Sequence, residues 1–182
     1  MLTNSWGCPG IEGCDLNSLR PAIAALDAAG IFFVAAAGNS GPSCRTVADP
    51  PAPYTETFTV GAVDEHGVVT SFSSRGPTPD GRVKPDIMAP GANVLSAMPD
   101  GTYGRLDGTS MATPHLAGVV ALMWSANPKL IGDIATTERI LRDTATTARP
   151  GLSEPVCGAP QNIVGAGLVN AYAAVKAAQN AG

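Results

Sequence analysis

Ser110 stands in the run Gly108-Thr109-Ser110-Met111-Ala112-Thr113-Pro114-His115, between a turn of small residues and an apolar stretch. That placement suits a nucleophile. Small residues at 108 and 109 allow a sharp turn and leave room for a carbonyl group, and the unpaired N–H groups of a first helical turn face a hydroxyl set there. Pro114 is expected in that first turn, where its missing donor costs little. Leu116 to Trp124 is almost entirely apolar, which predicts a helix buried on nearly every side. Asn39 follows Ala36-Ala37-Gly38 at the carboxyl end of a predicted buried strand, where parallel α/β sheets place their ligands. Taken alone, Asn39 before Ser40-Gly41 reads as a turn former and Gly108-Thr109-Ser110 as an ordinary capped helix start. The other reading is that the Asn39 amide donates to the oxygen that gains charge when a serine attacks an acyl carbon, with the Ser110 N–H as second donor. Such an attack also needs a base, usually a histidine oriented by a carboxylate. The chain has 2 histidines. His66 lies in Asp64-Glu65-His66-Gly67, a predicted exposed turn, and His115 is displaced from Ser110 by about 140° around a helix. Neither is expected to reach Ser110. Asp86, Asp100 and Asp107 are expected in turns or loops.

These segments resemble the motifs of the subtilisin-like serine peptidases. The octet around Ser110 is similar to that family's nucleophile signature, and Ala35-Ala36-Ala37-Gly38-Asn39-Ser40-Gly41-Pro42 is similar to its oxyanion-asparagine segment. Ser71-Phe72-Ser73-Ser74-Arg75-Gly76-Pro77 and Lys84-Pro85-Asp86-Ile87-Met88-Ala89-Pro90-Gly91 match the stretch the family carries between them. The likeness runs from Asn4 to about Val175. It implies a serine-type endopeptidase acting on polypeptides, with Ser110 as nucleophile and Asn39 as oxyanion donor. It further implies that Ser5-Trp6-Gly7 pairs with an extended substrate and that Ala36-Ala37-Gly38 forms the opposite wall of the pocket for the side chain before the cut. Small residues there let a peptide approach as an added strand, and the pocket is expected to favour apolar or long side chains. Trp6 is equally readable as a core aromatic.

The family's His-Gly-Thr and aspartate motifs precede its substrate-binding segment, so they are expected upstream of residue 1. The crossover that should precede Asn4 is likewise not in the sequence. Residues 1–182 are therefore expected to be one partial catalytic domain, the C-terminal half to two-thirds, and inactive alone. The alternative is a non-catalytic peptide-binding relic of the same fold. An unrelated α/β esterase is disfavoured, because Gly108 to Ala112 does not form a Gly-x-Ser-x-Gly elbow. No cofactor is expected to be required. Some relatives carry a cation near the position of Asp64, with backbone carbonyls near Pro53 and Tyr54 as companions. One carboxylate falls well short of the about six to eight oxygens that calcium takes.

The composition agrees with a compact α/β protein: 182 residues, 45% hydrophobic and 14% charged. A net charge of -4 with scattered basic residues gives no stripe to track phosphates, and no apolar run is long enough to span a bilayer. Nucleic acid and membrane are excluded as partners, and the complete enzyme is expected to be monomeric. The 4 cysteines allow three pairings. Cys8 with Cys14, closing a short Pro/Gly loop, and Cys44 with Cys157, tying the segment after Asn39 to the loop before the C-terminal helix, is the expected set; zinc is the rival reading, and neither spacing resembles a zinc knuckle. Disulfides imply a secreted or extracytoplasmic protein, although Met1-Leu2-Thr3-Asn4 does not read as a secretory signal.

Strand and helix signals alternate, which predicts a parallel sheet with helices on both faces, the three-layer α/β/α subtilisin-like fold, N-terminally truncated. Strands are expected at Met1–Ser5, Ile31–Ala36 and Phe58–Val63, with Val68–Ser71 as a further candidate. Helices are expected from Asp15 or Asn17 to Ala29, through the Ser110 segment, over Thr137–Thr146 and over Asn170–Gln179. Gly38–Tyr54, Gly76–Gly91 and the stretch before Gly165 read as loops, and Asn93–Ala97 and Thr102–Leu106 as extended pieces about Pro99-Asp100-Gly101. The Pro50-Pro51 bond is a candidate for cis.

Overall fold

The computed structural model describes residues 1–151 and 155–181. Strands β1 (Leu2–Asn4), β2 (Phe33–Ala36), β3 (Phe58–Val63) and β4 (Ile87–Pro90) form a parallel sheet in that spatial order, and β5 (Val94–Ala97) and β6 (Tyr103–Leu106) form an antiparallel hairpin. The helices are α1 (Arg20–Ala28), α2 (Thr109–Ala126), α3 (Ile134–Asp143), the short α4 (Gln161–Val164) and α5 (Ala171–Gln179). Thr3 pairs with Val34, Ala35 with Thr59 and Gly61 with Met88.

Alternation along the strands sorts their side chains into two layers. Phe32 and Val34, with Phe58, Val60, Ile87 and Ala89, face α2 and its buried Leu116, Val120 and Met123. Phe33 and Ala35 face the other way, onto Ile23 of α1 and Tyr54. Helix α2 packs across all four strands, with α5 and then α3 beyond it. The result is the expected three-layer α/β/α arrangement.

Several boundaries differ from expectation for physical reasons. Helix α1 begins at Arg20 because the Asp15 Oδ1 accepts the Asn17 N–H at 2.8 Å and the Ser18 hydroxyl at 3.1 Å, closing a separate turn upstream. The segment read as loop up to Gly91 contains β4, whose Pro90 ends it. Val68–Ser71 makes only isolated bridges, from Val69 to Val63 and from Val68 to Arg149. Helix α3 starts at Ile134, where Asp133 caps it by accepting the Thr136 N–H at 3.0 Å. Helix α2 is not buried all round, since Pro114, Gly118, Leu122 and Ser125 line an exposed stripe. Pro114 is its sixth residue, in the helix interior rather than the first turn. The loop expected before Gly165 includes α4, and its residues 152–154 lie outside those described.

Both expected disulfides are present, Cys8–Cys14 and Cys44–Cys157, and the Pro50–Pro51 bond is cis. Among the described residues no helix is long and apolar enough to cross a membrane.

Candidate active site

The carboxyl ends of β1 and β2 and the N-terminus of α2 meet at one cleft. Ser5, Trp6 and Gly7 line one side, Ala36, Ala37, Gly38 and Asn39 the other, and Thr109 and Ser110 lie between. Residues far apart in sequence and singled out from it are thus brought together. Trp6 is 59% exposed there, so it is not a core aromatic. Pro9, Glu12, Asp49 and Ala52 complete the lining and were not foreseen.

Thr109 ties the start of α2 to the Gly38-Asn39 side. It is fully buried, its hydroxyl accepts the Gly38 N–H at 3.2 Å and donates to Asn39 Oδ1 at 3.0 Å, and its own N–H donates to the same oxygen at 2.9 Å. With Oδ1 held this way, the amide nitrogen of Asn39 is left to donate elsewhere, and it lies beside Gly108. A methyl group built on Gly108 would lie 3.5 Å from Asn39 Nδ2 and 3.6 Å from Ser110 N. The two donor nitrogens therefore lie close together beside Gly108, whose φ of 152° favours glycine.

The first turn of α2 disposes of its donors unequally. Thr109 N–H is taken by Asn39, and the N–H groups of Met111 and Ala112 turn back to the Gly108 carbonyl at 3.0 and 3.4 Å. Ser110 N–H has no acceptor among the described residues. An unpaired donor at the positive end of an 18-residue helix is suited to an oxygen bearing negative charge. The Ser110 hydroxyl donates to the Ser5 carbonyl at 3.1 Å, and the Ser5 hydroxyl donates to the Ser110 carbonyl at 3.0 Å.

Neither histidine lines this cleft. The His115 ring is tied through Nδ1 to the Met111 carbonyl at 2.8 Å, on the exposed face of α2. His66 sits in the turn held by Asp64, whose Oδ1 accepts the N–H groups of His66 and Val68, each at 2.9 Å. Asp100 and Asp107 occupy turns as expected, accepting the N–H groups of Thr102 and Asn93. Asp86 also lies in a loop, just before β4, but it is largely buried there and binds Lys84 at 2.5 Å, Arg142 at 2.9 Å and the Thr59 N–H at 2.7 Å.

The residues considered for calcium do not fit it. Asp64 follows β3 while Pro53 and Tyr54 precede it, so a six-residue strand, about 20 Å long, separates them. No cluster of three or more His, Cys, Asp or Glu able to hold a metal occurs among the described residues.

The chain is similar to known proteases over nearly its whole length. Bacillopeptidase F of Bacillus subtilis (strain 168) is 41% identical over 184 residues, covering 97% of this chain and 12% of that protein. Subtilisin BL of Lederbergia lenta is 38% identical over 159 residues, covering 87% of this chain and 51% of that one. The chain thus spans from about an eighth to about half the length of these relatives. Among solved structures, the prenylagaramide maturation protease PagA superimposes with a TM-score of 0.77 at 28% identity, covering 98% of this chain and 62% of that one. The patellamide maturation protease PatA gives 0.74 at 30% identity, covering 93% and 60%. The profile of the Subtilase family matches residues 2–167, and this chain belongs to that family.

Proposed function

We propose that this chain supplies the nucleophile, the oxyanion donors and the substrate cleft of a serine endopeptidase. Ser110 attacks the carbonyl of an extended polypeptide, and Asn39 Nδ2 and Ser110 N–H receive the oxyanion. Ser5-Trp6-Gly7 and Ala36-Ala37-Gly38 hold the peptide on either side. The observation that carries this reading is the placement of the Asn39 amide nitrogen and the unpaired Ser110 N–H beside each other at Gly108, with Asn39 Oδ1 held by Thr109. The histidine and aspartate come from a part of the domain outside these residues, so residues 1–182 are a partial catalytic domain and inactive alone. The Cys8–Cys14 and Cys44–Cys157 bridges support an extracytoplasmic setting.

Labelling with a fluorophosphonate probe tests the assignment. The chain alone should label slowly, and co-expression with a segment carrying the family's His-Gly-Thr and aspartate motifs should give fast labelling that Ser110→Ala abolishes. In the completed enzyme, Asn39→Ala should lower kcat by the about 10²–10³-fold known for loss of such a donor in a subtilisin. Rapid labelling of the chain by itself would overturn its inactivity, and failure to label after complementation would overturn the nucleophile. Capture of peptides without turnover is the second reading, favoured by the positions of His66 and His115 away from the cleft. A full-length host protein that binds peptides yet never labels would establish it.

A further inference from the structure

Two carboxylates give the cleft a charge that its small-residue walls do not explain. Glu12 ends a 3₁₀ turn (Gly10–Glu12) inside the loop closed by Cys8–Cys14, a bridge of sequence separation 6, so the loop stays short against the cleft. Asp49 lies on a second loop, which the Cys8 N–H pins through the Pro50 carbonyl at 2.8 Å. Gly7 makes room for it: a Cβ at position 7 would come within 3.1 Å of Asp49 Cβ.

Among the described residues neither carboxylate has an ion-pair or hydrogen-bond partner, and no Lys, Arg or His lines the cleft. Asp80, Asp86 and Asp133, by contrast, all hold donors. Ionised carboxylates are acceptor-only, so these two remain open to a donor brought in from outside. The same cleft is lined by Ala36, Ala37 and Ala52, whose side chains offer methyl groups alone. An apolar lining together with unpaired negative charge matches a side chain with an aliphatic stem and a cationic tip. It opposes an acidic one.

We infer that the cleft selects a polypeptide side chain ending in a positive charge, lysine or arginine, with its stem along Ala36 and Ala37 and its tip at Glu12 and Asp49. This rests on the reading of the cleft as the substrate site. The site itself stands on Ser110, Asn39 and the small-residue walls, and the carboxylates set which residue enters. It narrows the expectation of an apolar or long side chain to a long, cationic one.

The test is titration of the ¹⁵N-labelled chain with acetyl-Ala-Ala-Pro-Arg-amide and with the counterparts ending in Leu and Glu, followed by amide and indole shifts. The Arg peptide should bind about tenfold more tightly than the Leu peptide, and the Glu peptide most weakly. Its shifts should centre on Trp6, Gly38 and Ser110. The Arg preference should shrink in 1 M salt, about threefold or more. Glu12→Gln and Asp49→Asn should each weaken the Arg peptide about three- to tenfold and leave the Leu peptide unchanged, with melting curves confirming that both variants fold. Equal affinities for Arg and Leu peptides at the same shifted residues would overturn the charge selection while leaving the peptide site standing. An Arg preference that survives both substitutions would overturn the role of these carboxylates. No shifts in the cleft with any peptide would overturn the site reading and this inference with it.

Discussion

Ser5 hydrogen-bonds to the carbonyl of Ser110 at 3.0 Å, and that carbonyl is the one Pro114 leaves without its helical donor. Pro114 stands four residues after Ser110 inside α2 and has no N–H to return. The end of β1 thus completes the helix that carries Ser110. Ser5→Ala should cost about 0.5–1 kcal/mol in urea denaturation, the size of one neutral hydrogen bond at an accessible site. In the Pro114→Ala background the residue at 114 donates to Ser110 itself, and Ser5→Ala should then cost nearly nothing. Equal costs in both backgrounds would show that the two residues are not coupled.

The Thr109 hydroxyl serves two partners inside a fully buried site, so its loss leaves more than one group unsatisfied. Thr109→Val keeps the shape but strands the Gly38 N–H, and should destabilise by about 1–3 kcal/mol. It should also free the Asn39 side chain, moving its amide signals in a ¹⁵N spectrum toward those of an unrestrained asparagine. Thr109→Ser retains the hydroxyl and should leave those signals in place. Unmoved Asn39 signals in the valine variant would show that the Thr109 N–H alone orients the amide.

The parts of this architecture that local pattern encodes were legible in the chain. Phe58–Val63 is a run of apolar and β-branched residues and forms β3 with those bounds. The Gly108–His115 octet and the Ala36–Asn39 segment, read by their likeness to family motifs, announced the serine and one side of the cleft. Strand β4 was hidden because Pro85 and Pro90 bracket four residues, too few for a periodicity to appear. The start of α1 was misplaced because Asp15 and Asn17 have the chemistry of helix caps, yet Asp15 spends it on a turn with Ser18. Glu12 and Asp49 had no local signal at all. They line one cleft only because a disulfide-closed loop and the 47–54 loop both fold against Ser5-Trp6-Gly7. Gly7, where a Cβ would come within 3.1 Å of Asp49 Cβ, was the one trace of that approach in the sequence.

The two disulfides should differ sharply in thermodynamic weight. Cys44–Cys157 joins residues 113 apart and ties the loop after β2 to the segment before α4, whereas Cys8–Cys14 spans 6. Chain-entropy scaling gives roughly 5 kcal/mol for the long closure and roughly 2 kcal/mol for the short one. The Cys44→Ser, Cys157→Ser double variant should therefore unfold at much lower urea than wild type. The Cys8→Ser, Cys14→Ser variant should melt closer to wild type while altering the cleft through Glu12. Equal shifts in denaturation midpoint would mean that the long loop is already restrained in the unfolded chain.

Helix α3 carries two carboxylates whose pH dependence should have opposite signs. Burial raises the carboxyl of Glu138 above its ordinary 4.5, Asp86 adding to the effect, and outweighs the opposing ion pair with Arg142 at 2.8 Å. The folded state then holds the proton more tightly than the unfolded chain. The stability contributed by that proton is fully present below the unfolded pKa and is lost as pH rises through the folded one. Asp133 is the reverse: the Thr136 N–H it caps holds it below its ordinary 3.8, so its contribution is present above that value and is lost as pH falls through the lowered one. Glu138→Gln removes the first dependence, and Asp133→Asn removes the second while keeping a capping side chain. In urea melts, the stability of Glu138→Gln relative to wild type should rise from about pH 4 to pH 7. That of Asp133→Asn should fall relative to wild type from about pH 2 to pH 5. Slopes of the same sign would show that the Arg142 pair, not burial, governs Glu138.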